Sequence, residues 1–165
     1  MIKQVFFPIF GVMAFIALVG IFVQKSATFN LSGTPNPTSS FKTSKEIAIG
    51  STSISVSVAD NKDARKVGLS GITSLDKSSG MLFIFDKKNT IPGFWMKDMA
   101  IPLDIIWIND NTIVKIDKNV DFPKTGTPDE KLTTYGPGQP IDYVLEVNAG
   151  FSDTNNIKVG DKVDL

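Results

Sequence analysis

A chain of 165 residues with a hydrophobic fraction of 42% has room for one domain with a real core, which excludes wholesale disorder. Lysine plus arginine equals aspartate plus glutamate at 17 each, and 14 basic residues face all 17 acidic ones after residue 43, so a nucleic-acid partner is not expected. The absence of cysteine and histidine excludes disulfides, thiol nucleophiles, Ser-His-Asp triads and the usual zinc sites. The acidic turns also lack the glycine and the closing glutamate of a calcium loop, so we expect no metal and no cofactor, and an enzyme is not favoured.

The chain begins with an uncharged apolar run, "VFFPIFGVMAFIALVGIFV", at residues 5–23. At ~1.5 Å per helical residue this run nearly spans a ~30 Å hydrocarbon core. A stretch rich in serine, threonine and proline follows it without an apolar period. We therefore predict an N-terminal hydrophobic helix that anchors residues 1–24 in a membrane, a flexible linker over 25–44 and a folded domain over 45–165 on the extracytoplasmic side. A cleaved signal and secretion are the lesser alternative, because the best cleavage site, Lys25-Ser26-Ala27, begins with a charge.

The first half of the domain is predicted to form strands around one helix. Ile54, Val56 and Val58 alternate with serines, which predicts a half-buried antiparallel strand, and "KEIAIG" before it predicts a short partner. The segment "DNKDARKVGLSG" predicts a helix of about two turns that begins at an Asp60 N-cap and stops at Gly68 or Gly71. "GMLFIF" then reads as a fully buried strand.

The second half continues with strands. "LDIIWI" and "TIVKID", separated by "NDN", predict a hairpin, and "IDYVLEV" predicts another strand after a proline-rich loop at 121–140. The last 18 residues predict a helical turn and a final strand pair around Gly160-Asp161. The domain is therefore predicted to be mainly β, a small barrel or strongly curved antiparallel sheet with one or two short helices.

The motif "FWMKDMAIPLDIIWI" at residues 94–108, with "GMLFIF", "YVLEVNAG" and "NIKVGDKV", resembles an uncharacterised family called domain of unknown function 192, or uncharacterised protein family 0127. The likeness covers about residues 45–165 in the family's order of motifs. Arg65 and Gly68-Leu69 fit the family's helix segment, whereas Ser70 stands where methionine is expected and Ile72 near a second expected arginine. The resemblance implies a compact, mainly β domain, often behind an N-terminal signal or anchor, and no established activity.

The bend from Trp95 to Asp104 carries the strongest functional signal. Trp95 and Lys97 share a face of the extended chain, and Asp104 lies in a strand that is apolar on both faces, where a carboxylate must find donors or a cation. One hypothesis is a pocket at the rim of the barrel that holds a sugar or another small polar ligand. Its candidate ligand-binding residues are Trp95, Lys97, Asp98 and Asp104, with Arg65 and Glu146 as further members. The alternative is an ion pair between Lys97 and Asp104 that closes the bend, with Trp95 capping the barrel.

Glu146 alternates with Tyr143 and Leu145, and the simpler interpretation places it on a solvated face. Three functions remain, in this order. The first is a membrane-tethered binding or accessory module for a small polar ligand or a partner in the cell envelope. The second is a structural interaction domain with no ligand site, and the third is a hydrolase acting on a glycan, which needs Asp104 and a second carboxylate such as Glu146 in one cleft.

Overall fold

A computed structural model describes residues 44–165, which lie within one compact unit. The predicted membrane anchor over residues 1–24 and all but the last residue of the predicted linker lie outside the described residues. Between residues 44 and 165, no helix has the length and apolar character needed to cross a bilayer.

Within residues 44–165 seven strands form one sheet, and two short helices and one 3-10 turn connect them. In chain order the elements are β1 (Ser44–Ile49), β2 (Thr52–Ala59), α1 (Lys62–Val67), β3 (Ser79–Ile84), β4 (Leu103–Asn109), β5 (Thr112–Val120), a 3-10 turn (Asp129–Lys131), β6 (Tyr143–Asn148), α2 (Phe151–Thr154) and β7 (Val163–Asp164). The strand order across the sheet is β5-β4-β6-β3-β2-β1-β7. A bridge between Thr112 and Lys162 brings the two edges together at one end, so the sheet curls into a half-barrel. The prediction of a mainly β, strongly curved sheet with two short helices is confirmed.

The hairpin of β4 and β5 follows directly from its turn residues. Asp110 and Asn111 connect the strands with φ angles of 47° and 55°, the left-handed pair that a two-residue type I′ turn requires. Aspartate and asparagine tolerate this region because their short side chains bond locally. Here the Asp110 amide donates to Asp142 Oδ2 at 3.2 Å.

Two local predictions are wrong, and a third, the antiparallel sheet, holds only in part. β2 pairs antiparallel with β1 but parallel with β3, because α1 carries the chain over the sheet between them, so the sheet is mixed. The N-cap of α1 is Asn61 rather than Asp60, since the Asn61 side chain accepts from the Ala64 amide at 2.9 Å. The last strand pair does not form: β7 alone follows the Gly160 turn, and it pairs with β1.

The central strands bury both of their faces. On one face Leu82, Ile106 and Leu145 belong to a cluster that extends to Ile54 and Phe151. The opposite face carries a second cluster, which we call the α1-side cluster. Its buried members are Ala59, Leu69, Met81, Phe83, Met96, Leu103, Ile105, Trp107, Val120, Ile141 and Val144. Strands buried on both faces need apolar residues at nearly every position, and "LDIIWI" has them.

Candidate functional site

A cavity of about 240 Å³ lies against α1 on the α1-side face of the sheet. Residues of α1, the three residues that follow it, the end of β3 and the segment 92–95 line it. Most of its wall is apolar. The apolar contributions include Leu69, Phe83, Phe85, Phe94 and Met99. Such a concave apolar wall with few polar groups is the usual form of a small-molecule site.

Phe94 holds the aromatic wall in place. Its ring meets the Phe83 ring edge-to-face at a centroid distance of 4.9 Å and the Trp107 ring at 5.5 Å. Its backbone is paired with Tyr135 through two hydrogen bonds of 2.8 Å. Because successive side chains of an extended segment alternate, Trp95 turns away from this core and stands at the cavity mouth with 52% of its surface exposed.

Glu146 forms the polar part of the cavity wall. It lies in β6 between Met81 of β3 and Ile105 of β4, and only 5% of its surface is exposed. Burial raises the pKa of Glu146 to about 8, and no hydrogen bond or neighbouring charge within the described residues offsets that effect. The expectation of a solvated face is therefore wrong, because β6 is a central strand whose face is covered by α1 and the aromatic wall. At neutral pH this carboxyl group is mostly protonated.

The mouth of the cavity is basic. Arg65 is anchored there: its guanidinium donates to the Ile84 carbonyl at 2.7 Å and to Asp86 at 3.0 Å, and it lies 5.8 Å from the centre of the Phe85 ring. Lys62 and Lys66 of α1 also line the mouth and are exposed. The cavity therefore has positive charge at its mouth and the protonated Glu146 in its wall.

Lys97 and Asp98 lie outside the cavity lining. Lys97 Nζ bonds to Asp129 Oδ2 at 2.6 Å and lies 5.7 Å from the centre of the Trp95 ring. The bond to Asp129 is the main cause that raises the pKa of Lys97. Asp98 is exposed in the left-handed region, with φ of 56°, and its carbonyl accepts from the Gly71 amide at 2.9 Å. The predicted ion pair between Lys97 and Asp104 is wrong, since the partner comes from the 3-10 turn.

Asp104 is a buried structural carboxylate. It accepts three backbone N–H groups, from Asn119 at 2.9 Å, Gly150 at 3.1 Å and Ser152 at 2.9 Å. Asn119 lies in a bulge, because Leu103 pairs with Val120 while Ile105 pairs with Asp117. Asp104 thus fixes both the bulge and the junction between β6 and α2.

Asp104 and Glu146 project from opposite faces of the sheet. The register pairs Asp104 with Val147 and Ile105 with Glu146, and directly paired residues share a face. A pair of carboxylates that hydrolyses a glycosidic bond must flank the same bond. These two carboxylates do not share a cleft and therefore cannot act as that pair. Among residues 44–165, no group of three acidic residues is placed to hold a metal ion.

The structure therefore brings together three of the candidate residues, Arg65, Trp95 and Glu146, at one cavity. It leaves Lys97 and Asp98 beside the mouth and places Asp104 on the other face. The sequence does not predict the aromatic wall, because the phenylalanines in "GMLFIF" and "GFWM" have the pattern of ordinary core residues. One feature of the sequence does indicate that Glu146 is buried. Val144, two residues away on the same face of the strand, is apolar, which is not typical of a solvated face.

Comparisons with known proteins agree with this fold. The model of the family DUF192, described as "Uncharacterized ACR", matches residues 45–165. A chain from Sinorhizobium meliloti 1021, described as a candidate transcription regulator, is 27% identical with a TM-score of 0.63, over 72% of this chain and 89% of its own. A protein of unknown function from Novosphingobium aromaticivorans DSM 12444 is 27% identical with a TM-score of 0.66, over 74% of this chain and 85% of its own. No curated protein matches this chain.

Proposed function

The chain belongs to domain of unknown function 192, the family that its motifs resemble, and from that premise we propose that its folded domain is a binding module for one small ligand in the cavity beside α1. The observation that carries this proposal is Glu146, a carboxyl group buried in the cavity wall without a partner among the described residues. A carboxyl group in a mostly apolar wall is the kind of polar group with which a bound ligand forms a hydrogen bond. A ligand in the cavity would gain this hydrogen bond together with contacts to the apolar wall.

The cavity volume limits the size of the ligand. At about 240 Å³ the cavity is smaller than the ~300–1,000 Å³ of sites that hold drug-sized molecules. A ligand with one ring fits this limit. The proposed ligand site is thus the space bounded by Trp95, Arg65 and Glu146, and not the whole bend from Trp95 to Asp104.

The tether is a separate part of the proposal. Residues 5–23 would hold the chain in the membrane, with the binding module on the extracytoplasmic side at the end of a linker over residues 25–44. The full chain should sediment with membranes, removal of residues 1–24 should release it, and external protease should cut the linker in intact cells. Recovery of the full chain from the soluble fraction would refute the membrane tether but would not contradict the proposed ligand site in the cavity.

Binding can be tested with the full chain in a non-ionic detergent, which the apolar residues 5–23 require. A set of single-ring carboxylates, alcohols and amines, together with monosaccharides, is titrated by ligand-observed NMR against the protein and against detergent alone. We expect at least one of these classes to bind.

Two matched variants locate the site. Val67 lines the cavity mouth and is 56% exposed, whereas Val159 is 58% exposed and outside the lining. Val67→Trp should cover the mouth and weaken binding by about tenfold, and Val159→Trp should leave it unchanged. Equal affinities in both variants would place the ligand elsewhere. The absence of any binding would favour the structural interaction domain instead.

A further inference from the structure

We propose that the ligand is a small aromatic anion whose carboxylate rests at the basic mouth and whose opposite end presents a neutral hydrogen-bond acceptor to the Glu146 carboxyl group. This inference rests on the proposed binding function and names the class of ligand. Three features of the cavity carry it: the walls, the mouth and the buried acid.

The walls favour a flat apolar body. Phe83, Phe85 and Phe94 come from two different segments and contribute ring surface to the same cavity. Aromatic rings prefer offset or edge-to-face partners, so a single aromatic ring gains contacts that a branched aliphatic body does not. Phe94 is already fixed by edge-to-face contacts with Phe83 and Trp107, so the wall is preformed and loses little entropy when a ligand binds.

The mouth selects the sign of the ligand charge. Three basic side chains of α1, those of Lys62, Arg65 and Lys66, line it. Asp86 neutralises Arg65 in part, and neither lysine takes part in an ion pair within residues 44–165. An anion is therefore attracted to this mouth, and a cation would have to approach three like charges. A carboxylate also matches the donors of lysine and arginine.

The inner end requires an acceptor. The sheet neighbours of Glu146, Met81 and Ile105, carry no charge, and the segment 92–95 has no titratable side chain. The other charged groups that line the cavity are the three basic residues of α1, and burial is the cause that raises the pKa of Glu146. Arg65 donates to the Ile84 carbonyl and to Asp86, and no hydrogen bond within residues 44–165 joins Glu146 to a basic side chain, so a ligand can bond to the basic mouth and to the acid at the same time. A protonated carboxyl group offers one O–H donor, which a carbonyl oxygen accepts.

The experiment compares four para-substituted benzenes by NMR titration of the full chain in detergent at neutral pH. Para-acetylbenzoate has both features, para-isopropylbenzoate lacks the acceptor, para-acetylbenzamide lacks the charge, and para-acetylbenzylamine reverses it. We expect para-acetylbenzoate to bind at least about tenfold more tightly than each of the other three. Its affinity should fall by about tenfold per pH unit above the point near pH 8 where Glu146 ionises.

Two sets of variants locate the two ends. Glu146→Gln keeps a donor and should retain the preference for the acetyl group while removing its dependence on pH. Lys62→Gln with Lys66→Gln, both on the exposed side of α1, should weaken para-acetylbenzoate but not para-acetylbenzamide. The double lysine variant keeps the inference testable if Glu146→Gln does not fold.

The outcomes separate the ligand class from the binding function. Tighter binding of the benzylamine, or binding of a monosaccharide with none of the four benzenes, would overturn the aromatic-anion class and leave the binding module standing. Equal affinities of the acetyl and isopropyl compounds would show that Glu146 does not donate a hydrogen bond to the ligand. Failure of every compound in both sets would overturn the binding function itself.

Discussion

Glu146 should make the stability of the folded domain depend on pH, and Glu146→Gln should remove that dependence. Burial raises the pKa of this carboxyl group from an ordinary value of 4.5 to about 8. The folded chain therefore holds a proton between these two values that the unfolded chain has released. Its contribution to stability is fully present below pH 4.5 and is lost as pH rises toward 8, the reverse of a salt-bridged carboxylate.

The magnitude follows from the two pKa values. At ~1.4 kcal/mol per pKa unit, the difference between 4.5 and about 8 corresponds to a total on the order of 5 kcal/mol. About 4 kcal/mol of this total falls between about pH 5 and about pH 9. That is a large part of the ~5–15 kcal/mol by which ordinary domains are stable. Glutamine has nearly the same shape but no charge to lose, so its variant should lack this slope.

The assay is urea unfolding of the full chain in detergent at several pH values, followed by tryptophan fluorescence. Trp107 is fully buried and reports loss of the core. Glu130, which is exposed in the 3-10 turn, gives the control Glu130→Gln, which should keep the wild-type slope. If wild type and Glu146→Gln lose stability in parallel from about pH 5 to about pH 9, Glu146 is not a buried, uncompensated acid, and the reasoning about the cavity fails with it.

Three further predictions concern the same framework. Asp104→Asn should lower the free energy of unfolding by about 2–4 kcal/mol in urea titrations, because an amide nitrogen would face N–H donors that now point at a carboxylate; an unchanged midpoint would contradict its structural role. Gly80→Ala should cost at least about 2 kcal/mol by the same measurement, since a Cβ there would meet the Glu146 carbonyl oxygen at 2.6 Å, and near-neutral stability would mean that β3 and β6 can separate. Lys97→Ala should change neither the melting temperature nor ligand affinity appreciably, because its bond to Asp129 is exposed and screened; loss of binding would return Lys97 to the site.

The local signals in this sequence were strong where one residue type had few alternatives. Asp110 and Asn111 fit a tight hairpin turn whatever surrounds them, and Gly68 ends α1 with φ of 52° as expected for a helix stop. The family motif likewise gave the family and the curved, mainly β fold. The pairing of β2 with β3 was not visible, because alternation of side chains along a strand carries no information about the direction of its neighbour.

The residues of the candidate site were likewise predictable from the sequence only in part. Sequence reasoning selected Arg65, Trp95 and Glu146, which the structure places at one cavity, but grouped them with Lys97, Asp98 and Asp104 through their positions along the chain. Asp104 needed donors, as expected for a buried carboxylate, yet those donors are amides of β5 and α2, which no spacing predicts. The partner of Lys97 comes from a loop that is distant in sequence.

The sequence by itself determined the hairpin turn, the segment that forms α1 and, through its motifs, the family and the mainly β fold, because these depend on residue types and on patterns within short stretches of the chain. Only the tertiary structure decided what surrounds each of the two acidic side chains in the central strands. Asp104 and Glu146 both lie in apolar strands, but Asp104 faces three amides on one side of the sheet and Glu146 faces an apolar cavity on the other. The burial of an acid and the donors within its reach depend on segments that are distant in sequence, and both are properties of the assembled fold.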